Sequence, residues 1–155
     1  MDAAAIAAVE AQFAFGIARG AGGLMLVAVD GSTQEVERAS LIVENVLREG
    51  GGFDVIRSET RADEDRLWDV RRALSPAIKR FGTLKFNEDV VALRSRVPEL
   101  IERVEKIGRR FETFFVNFGH AGDGNIHVLT LCVTAKTQRP SPEPAPPSAK
   151  RLLRP

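Results

Sequence analysis

The chain has 155 residues, 44% of them hydrophobic and 28% charged, which is enough for one domain with a core of its own. Its 22 basic and 21 acidic residues leave a net charge of +1, so bulk electrostatics favour neither nucleic acid nor an anionic membrane surface as partner. The single cysteine, Cys132, excludes an internal disulfide and fits a reducing compartment, and no run of about 20 apolar residues is present to span a bilayer.

Met1 to Arg19 is Ala-rich, with Ile6, Val9, Phe13 and Ile17 at helical spacing. Asp2, Glu10 and the missing basic lead argue against a signal peptide. Gly20 to Gly23 ends this helix, and Leu24 to Val29 is an apolar run of strand length. Asp30-Gly31 turns the chain, after which Ser32 and Glu35 form a capping-box pair. The following helix carries Val36, Ala39, Val43, Val46 and Leu47 on one face, and Gly50 to Gly52 stops it. Phe53 to Arg57 reads as a short strand. Thr60 and Asp63 give a second capping signal, followed by Leu67, Val70 and Leu74 on one stripe. Pro76 should interrupt that helix, because it lacks an N–H and restricts Ser75. Ser75 is then placed to cap a second short helix with Pro76 at its first position.

Thr83 to Val90 reads as a strand in which Thr83, Lys85 and Asn87 point one way, Leu84 and Phe86 the other. Pro98 opens a helix with Leu100, Ile101, Val104 and Ile107 inward, and Arg109 and Arg110 at its negative end. Phe111 to Val133, FETFFVNFGHAGDGNIHVLTLCV, alternates as two strands around a polar loop with Asp123-Gly124 at the tip. The order of helices and short strands, closed by a hairpin, predicts an α+β fold: an antiparallel sheet with helices packed on one face. From Thr134 the chain holds six of its eight prolines and no apolar periodicity, so 134–155 is expected to be a disordered Pro-rich tail behind a domain of 1–133. A natural linker, a truncation and a change of reading frame would each produce such an ending.

His120 and His127, the only histidines, stand at the two edges of the hairpin loop. If the strands fold back symmetrically, the two are cross-strand neighbours with Cβ atoms roughly 4.5–5.5 Å apart. They fit either loop-capping residues or a pair of metal ligands. Zinc normally takes three or four protein ligands, so two histidines alone leave the choice open.

Two blocks resemble the C-terminal domain of FAD-linked oxidases, a family that includes D-lactate dehydrogenase, the glycolate oxidase flavoprotein subunit and D-2-hydroxyglutarate dehydrogenase. One is LWDVRRALSPAIKRFGTLKFNEDVVALRSRVPEL, Leu67 to Leu100; the other is GHAGDGNIHV, Gly119 to Val128. The resemblance covers about Leu24 to Val133 and implies a ferredoxin-like cap over a flavin held by a separate FAD-binding domain or subunit. It implies that the substrate is a small 2-hydroxy acid. His120 and His127 match two ligands of a divalent metal, usually zinc. Arg71 matches an arginine that clamps the substrate carboxylate, Ser75 a hydroxyl residue on the same carboxylate, and Lys85 a substrate-binding lysine.

These residue types suit that chemistry. A guanidinium grips a carboxylate with a planar two-point fork. A metal on the α-hydroxyl lowers its pKa. Arg71 and Ser75, four apart, share a helix face if the helix persists to Pro76. Departures from the family pattern are Leu93 where proline is usual, and the absence of the downstream Gly-Glu-His-Gly motif that brings a third ligand and the proton acceptor. The expectation is a cytoplasmic partial member, peripheral to the inner membrane in the complete enzyme, that does not catalyse alone. The competing expectation is a small α+β binding or dimerisation module without catalytic activity.

Overall fold

A computed structural model describes residues 1–18, 20–80 and 84–132, without the side chains of Leu84, Lys85 and Cys132. Arg19, Thr83 and the whole Pro-rich tail lie outside the described residues. The elements are α1 (Ala3–Phe13), α2 (Thr33–Glu49), α3 (Arg61–Lys79), β1 (Leu84–Val91), a 3-10 turn (Arg94–Arg96), α4 (Val97–Arg110), β2 (Phe114–His120) and β3 (Asn125–Cys132). They form two compact units: Met1–Leu24 with the chain from Ala73 onward, and Met25–Arg72.

The first unit is built on a three-stranded antiparallel sheet in the order β1-β3-β2. Asp89 pairs with His127 and Asn87 with Leu129 on one side of β3; Phe118 pairs with His127 and His120 with Asn125 on the other. One face is covered by α4, whose Val104 is buried with Ile126 and Val128, against Val97, Leu100, Ile101, Val90 and Phe115. The expected α+β architecture is therefore formed. On the opposite face Val116, Leu129 and Leu131 are buried, while the end nearer the hairpin tip stays open. The sheet's β2 edge is closed by the start of the chain. Asp2 N–H donates to Asn117 O at 2.9 Å, and Leu24 N–H donates to Met1 O at 2.9 Å. Asp2 is buried; one carboxylate oxygen caps α1 by accepting from Ala5 N–H, and the other accepts from the backbone and side-chain N–H groups of Asn117.

The helix α1 is shorter than its apolar spacing predicts. Ala14 takes a left-handed conformation, φ +49°, and the chain leaves the helix there. Phe13 and Phe15 remain exposed and stack with ring centroids 6.0 Å apart.

In the second unit the capping box forms as expected, with Glu35 accepting from both the N–H and the hydroxyl of Ser32 at 2.8 and 2.6 Å. The α2 that follows has no buried residue. The expected strands at Leu24–Val29 and Phe53–Arg57 are not formed: both segments lie outside any regular element. Apolar composition supplies a surface but not a ladder partner, and Met25, Val27, Phe53 and Ile56 are exposed.

Pro76 corrects the other expectation, because α3 runs unbroken from Arg61 to Lys79 through it. Ser75 is a mid-helix residue rather than a cap. An interior proline costs about 3 kcal/mol. Here it sits on the exposed side, and the flanking Ala73, Leu74, Ala77 and Ile78 are all buried, which offsets that cost. Among the described residues no helix is long and apolar enough to cross a membrane.

Candidate functional site

The hairpin loop is a constrained turn. Gly124 N–H donates to His120 O at 3.0 Å, and Asp123 turns its carboxylate inward to accept from Asn125 N–H at 2.9 Å. Gly124 has φ +77°, and a Cβ there would lie 2.0 Å from Ala92 O, so only glycine fits. Ala92 N–H in turn donates to Gly124 O, which ties the loop to the end of β1.

This loop makes His120 the partner of Asn125 and leaves His127 opposite Phe118. The histidines are thus diagonal neighbours on one face, not directly opposed. Their ring centroids are 6.0 Å apart and the rings meet edge to face. Two zinc–nitrogen bonds of about 2.0–2.1 Å, with a half-ring at either end, span roughly that separation. The ring separation alone is thus within the reach of one ion. Among the described residues no third His, Cys, Asp or Glu completes a cluster able to hold a metal.

On the β1 side of His127 stands Asp89, which sequence reasoning does not single out. Its Oδ1 is 2.5 Å from His127 Nδ1 and also accepts from Asn87 Nδ2 at 3.3 Å. The hydrogen bond with His127 holds the Asp89 carboxyl below the ordinary carboxylate range, and Asn87 adds to it. Phe118 packs on the other flank of the ring, centroids 5.0 Å apart. Asn87, Phe118, His127 and Leu129 line an open concavity of about 310 Å³ on this face. The signal for Asp89 lay in the alternation of Thr83, Lys85 and Asn87, which reaches it two residues further on.

The remaining candidates lie on α3 and at the start of β1. Arg71 is half-buried at the end of the second unit, and Ser75, one helical turn later, is exposed. The unbroken α3 therefore keeps the two on one helix face. Lys85 pairs with Leu131 in the sheet; its side chain lies outside the described residues.

The model of the family "FAD linked oxidases, C-terminal domain" matches residues 1–144. The chain is 26% identical to the glycolate oxidase subunit GlcD of Bacillus subtilis, over 82% of this chain and 27% of that protein. It is 32% identical to the D-lactate dehydrogenase of Anaerostipes hadrus, over 70% of this chain and 23% of that protein. It is 28% identical to the D-2-hydroxyglutarate dehydrogenase of Stutzerimonas stutzeri, over 68% of this chain and 23% of that protein. The chain thus spans about a quarter of the length of the curated relatives it matches.

Proposed function

We propose that this chain, which belongs to the family of FAD-linked oxidase C-terminal domains, is the flavin-capping and substrate-binding part of an FAD-dependent 2-hydroxy acid oxidoreductase. Glycolate, D-lactate and D-2-hydroxyglutarate, named by its relatives, support a small 2-hydroxy acid as the substrate class. The observation that carries the reading is the meeting of His120 and His127 on one sheet face, beside an open concavity.

Each residue has a distinct task. Arg71 grips the substrate carboxylate through its two-point fork, and Ser75, a turn away, donates a hydroxyl hydrogen bond to the same group. Lys85 adds a second positive charge for that carboxylate. His120 and His127 offer neutral nitrogens of the kind that suits zinc and similar divalent ions. When bound, such an ion supplies Lewis-acid polarisation of the α-hydroxyl, and the flavin of an FAD-binding domain or subunit supplies the two-electron acceptor. With the two histidines as its ligands among the described residues, affinity falls well short of a closed structural site. The chain by itself is colourless and inactive in this reading.

Calorimetric titration with zinc, then with glycolate, D-lactate and D-2-hydroxyglutarate, tests it. Weak zinc binding lost in His120→Ala and in His127→Ala is expected, with hydroxy acid binding that needs both zinc and Arg71. Zinc binding that survives both histidine substitutions would remove the histidines from the site, and hydroxy acid binding untouched by Arg71→Met would remove the carboxylate clamp.

A further inference from the structure

We propose that Asp89 is the positioning residue of His127: it holds the Nδ1 proton, fixes the tautomer, and leaves Nε2 as the one lone pair the ring can offer. The metal part of this inference rests on the reading of His127 as a ligand; the tautomer part does not.

An oxygen and a ring nitrogen 2.5 Å apart cannot face each other with lone pairs, so a proton lies between them. An ionised carboxylate only accepts, which places that proton on Nδ1 in the neutral ring. The backbone supports the same arrangement. Asp89 and His127 are a direct cross-strand pair, so their side chains leave the sheet side by side. The ring is held on its other side by Phe118, and the carboxylate is steadied by Asn87. The His127 side chain is 21% exposed and that of Asp89 57%, so the carboxylate can keep its charge in water while the packed ring keeps its orientation.

Strand order separates the two neighbours of His127. Asp89 comes from β1 and His120 from β2, with β3 between them. Asp89 therefore approaches from the side away from His120, and its Oδ1 is engaged at Nδ1. That geometry suits an orienting group better than a third ligand. A carboxylate on one ring nitrogen also makes the other a stronger donor to a cation, and loss of such partners weakens metal affinity roughly 10–100-fold.

Nitrogen-15 correlation NMR of the metal-free full chain at about pH 8 reads the tautomer directly. Wild type should show His127 protonated at Nδ1. Asp89→Ala should move the ring to the Nε2–H form that an unconstrained histidine side chain prefers, and Asp89→Asn, which keeps a carbonyl acceptor, should retain part of the Nδ1–H population. Backbone amide spectra establish that each variant folds. Cobalt(II) titration of the same samples should show a roughly 10–100-fold loss in Asp89→Ala and a smaller one in Asp89→Asn. A wild-type ring protonated at Nε2, or a tautomer indifferent to Asp89→Ala, overturns the proposal. So does a cobalt affinity that Asp89→Ala leaves unchanged. A tautomer that switches in a chain that binds no cobalt supports the positioning role and removes the metal reading of the histidines.

Discussion

Asp2 is a buried polar side chain that ties the start of the chain to the sheet. Its two oxygens accept from Ala5 N–H, Asn117 N–H and Asn117 Nδ2, and each of these donors would be stranded by its loss. Asp2→Ala should therefore destabilise the chain by about 1–3 kcal/mol, read as a lower urea midpoint. Burial raises the Asp2 pKa, against the hydrogen bonds from Ala5 and Asn117 that lower it. The folded chain then holds this proton more tightly than the unfolded one. The contribution is complete below the ordinary carboxylate pKa, about 3.9, and is lost as pH rises through the raised folded value. The gap between wild type and Asp2→Ala should be wider at pH 4 than at pH 7; a gap that widens with pH would contradict the burial argument. Nothing in the sequence announces this anchor, because its partner Asn117 is distant along the chain. The histidines are the opposite case: their types and nearness to one turn were visible, and only their register was not. Asp89 was within reach of the strand alternation, but its contact with His127 depends on β1 lying next to β3, which sequence periodicity does not encode.

The hairpin is the element on which the site depends, and its turn is set by sterics. Gly124→Ala would impose left-handed strain of roughly 1–2 kcal/mol and, in addition, push a Cβ into Ala92 O, so its total cost should exceed the strain alone. Thermal unfolding should show the loss, and under the proposed metal reading zinc affinity should fall with it, because the loop fixes how His120 meets His127. An unaltered melting temperature would mean that the loop can relax. The Asp-Gly tip was legible as a turn, yet a four-residue loop rather than a symmetric fold-back sets the pairing, and turn geometry decides register. The capping boxes of α2 and α3 were legible too, since the pairing partners are three residues apart. Both carboxyls are held low, Glu35 chiefly by the Ser32 hydroxyl and Asp63 by the Thr60 hydroxyl. A lowered folded pKa gives a contribution present above the unfolded value and lost as pH falls through the folded one. Amides in the first turns of α2 and α3 should accordingly lose protection as pH falls below about 4, and Glu35→Gln should blunt this in α2. Pro76 and the two unformed strands depart from expectation for one reason: tertiary contact, and not a local rule, decides there. Burial around Pro76 holds α3 together, and lack of a partner leaves Leu24–Val29 and Phe53–Arg57 without a ladder.

Across the whole molecule, buried apolar surface is unevenly shared. Leu74, Leu131, Val9 and Val116 are fully buried, all within the unit that carries the sheet. In Met25–Arg72 the only buried residue is Val70, while Leu41, Ile42 and Val46 of α2 are each half-exposed or more. At about 25 cal/mol per Å² of apolar surface removed from water, exposed side chains return little to offset the ordering of α2. Local opening of that unit should then cost far less than opening of the sheet. Leu131→Ala should destabilise by about 2–5 kcal/mol, as a large-to-small change in a packed core. Leu41→Ala, at 50% exposure, should stay within about 0.5 kcal/mol. Hydrogen exchange followed by mass spectrometry gives the sharper test, since it reads both units in one sample. Peptides from α2 should exchange well before those from β3 and α4, and the order should persist in Leu41→Ala. Protection of α2 equal to that of β3 would show that its apolar face is covered in solution, and the inference of a weakly held unit would then be wrong.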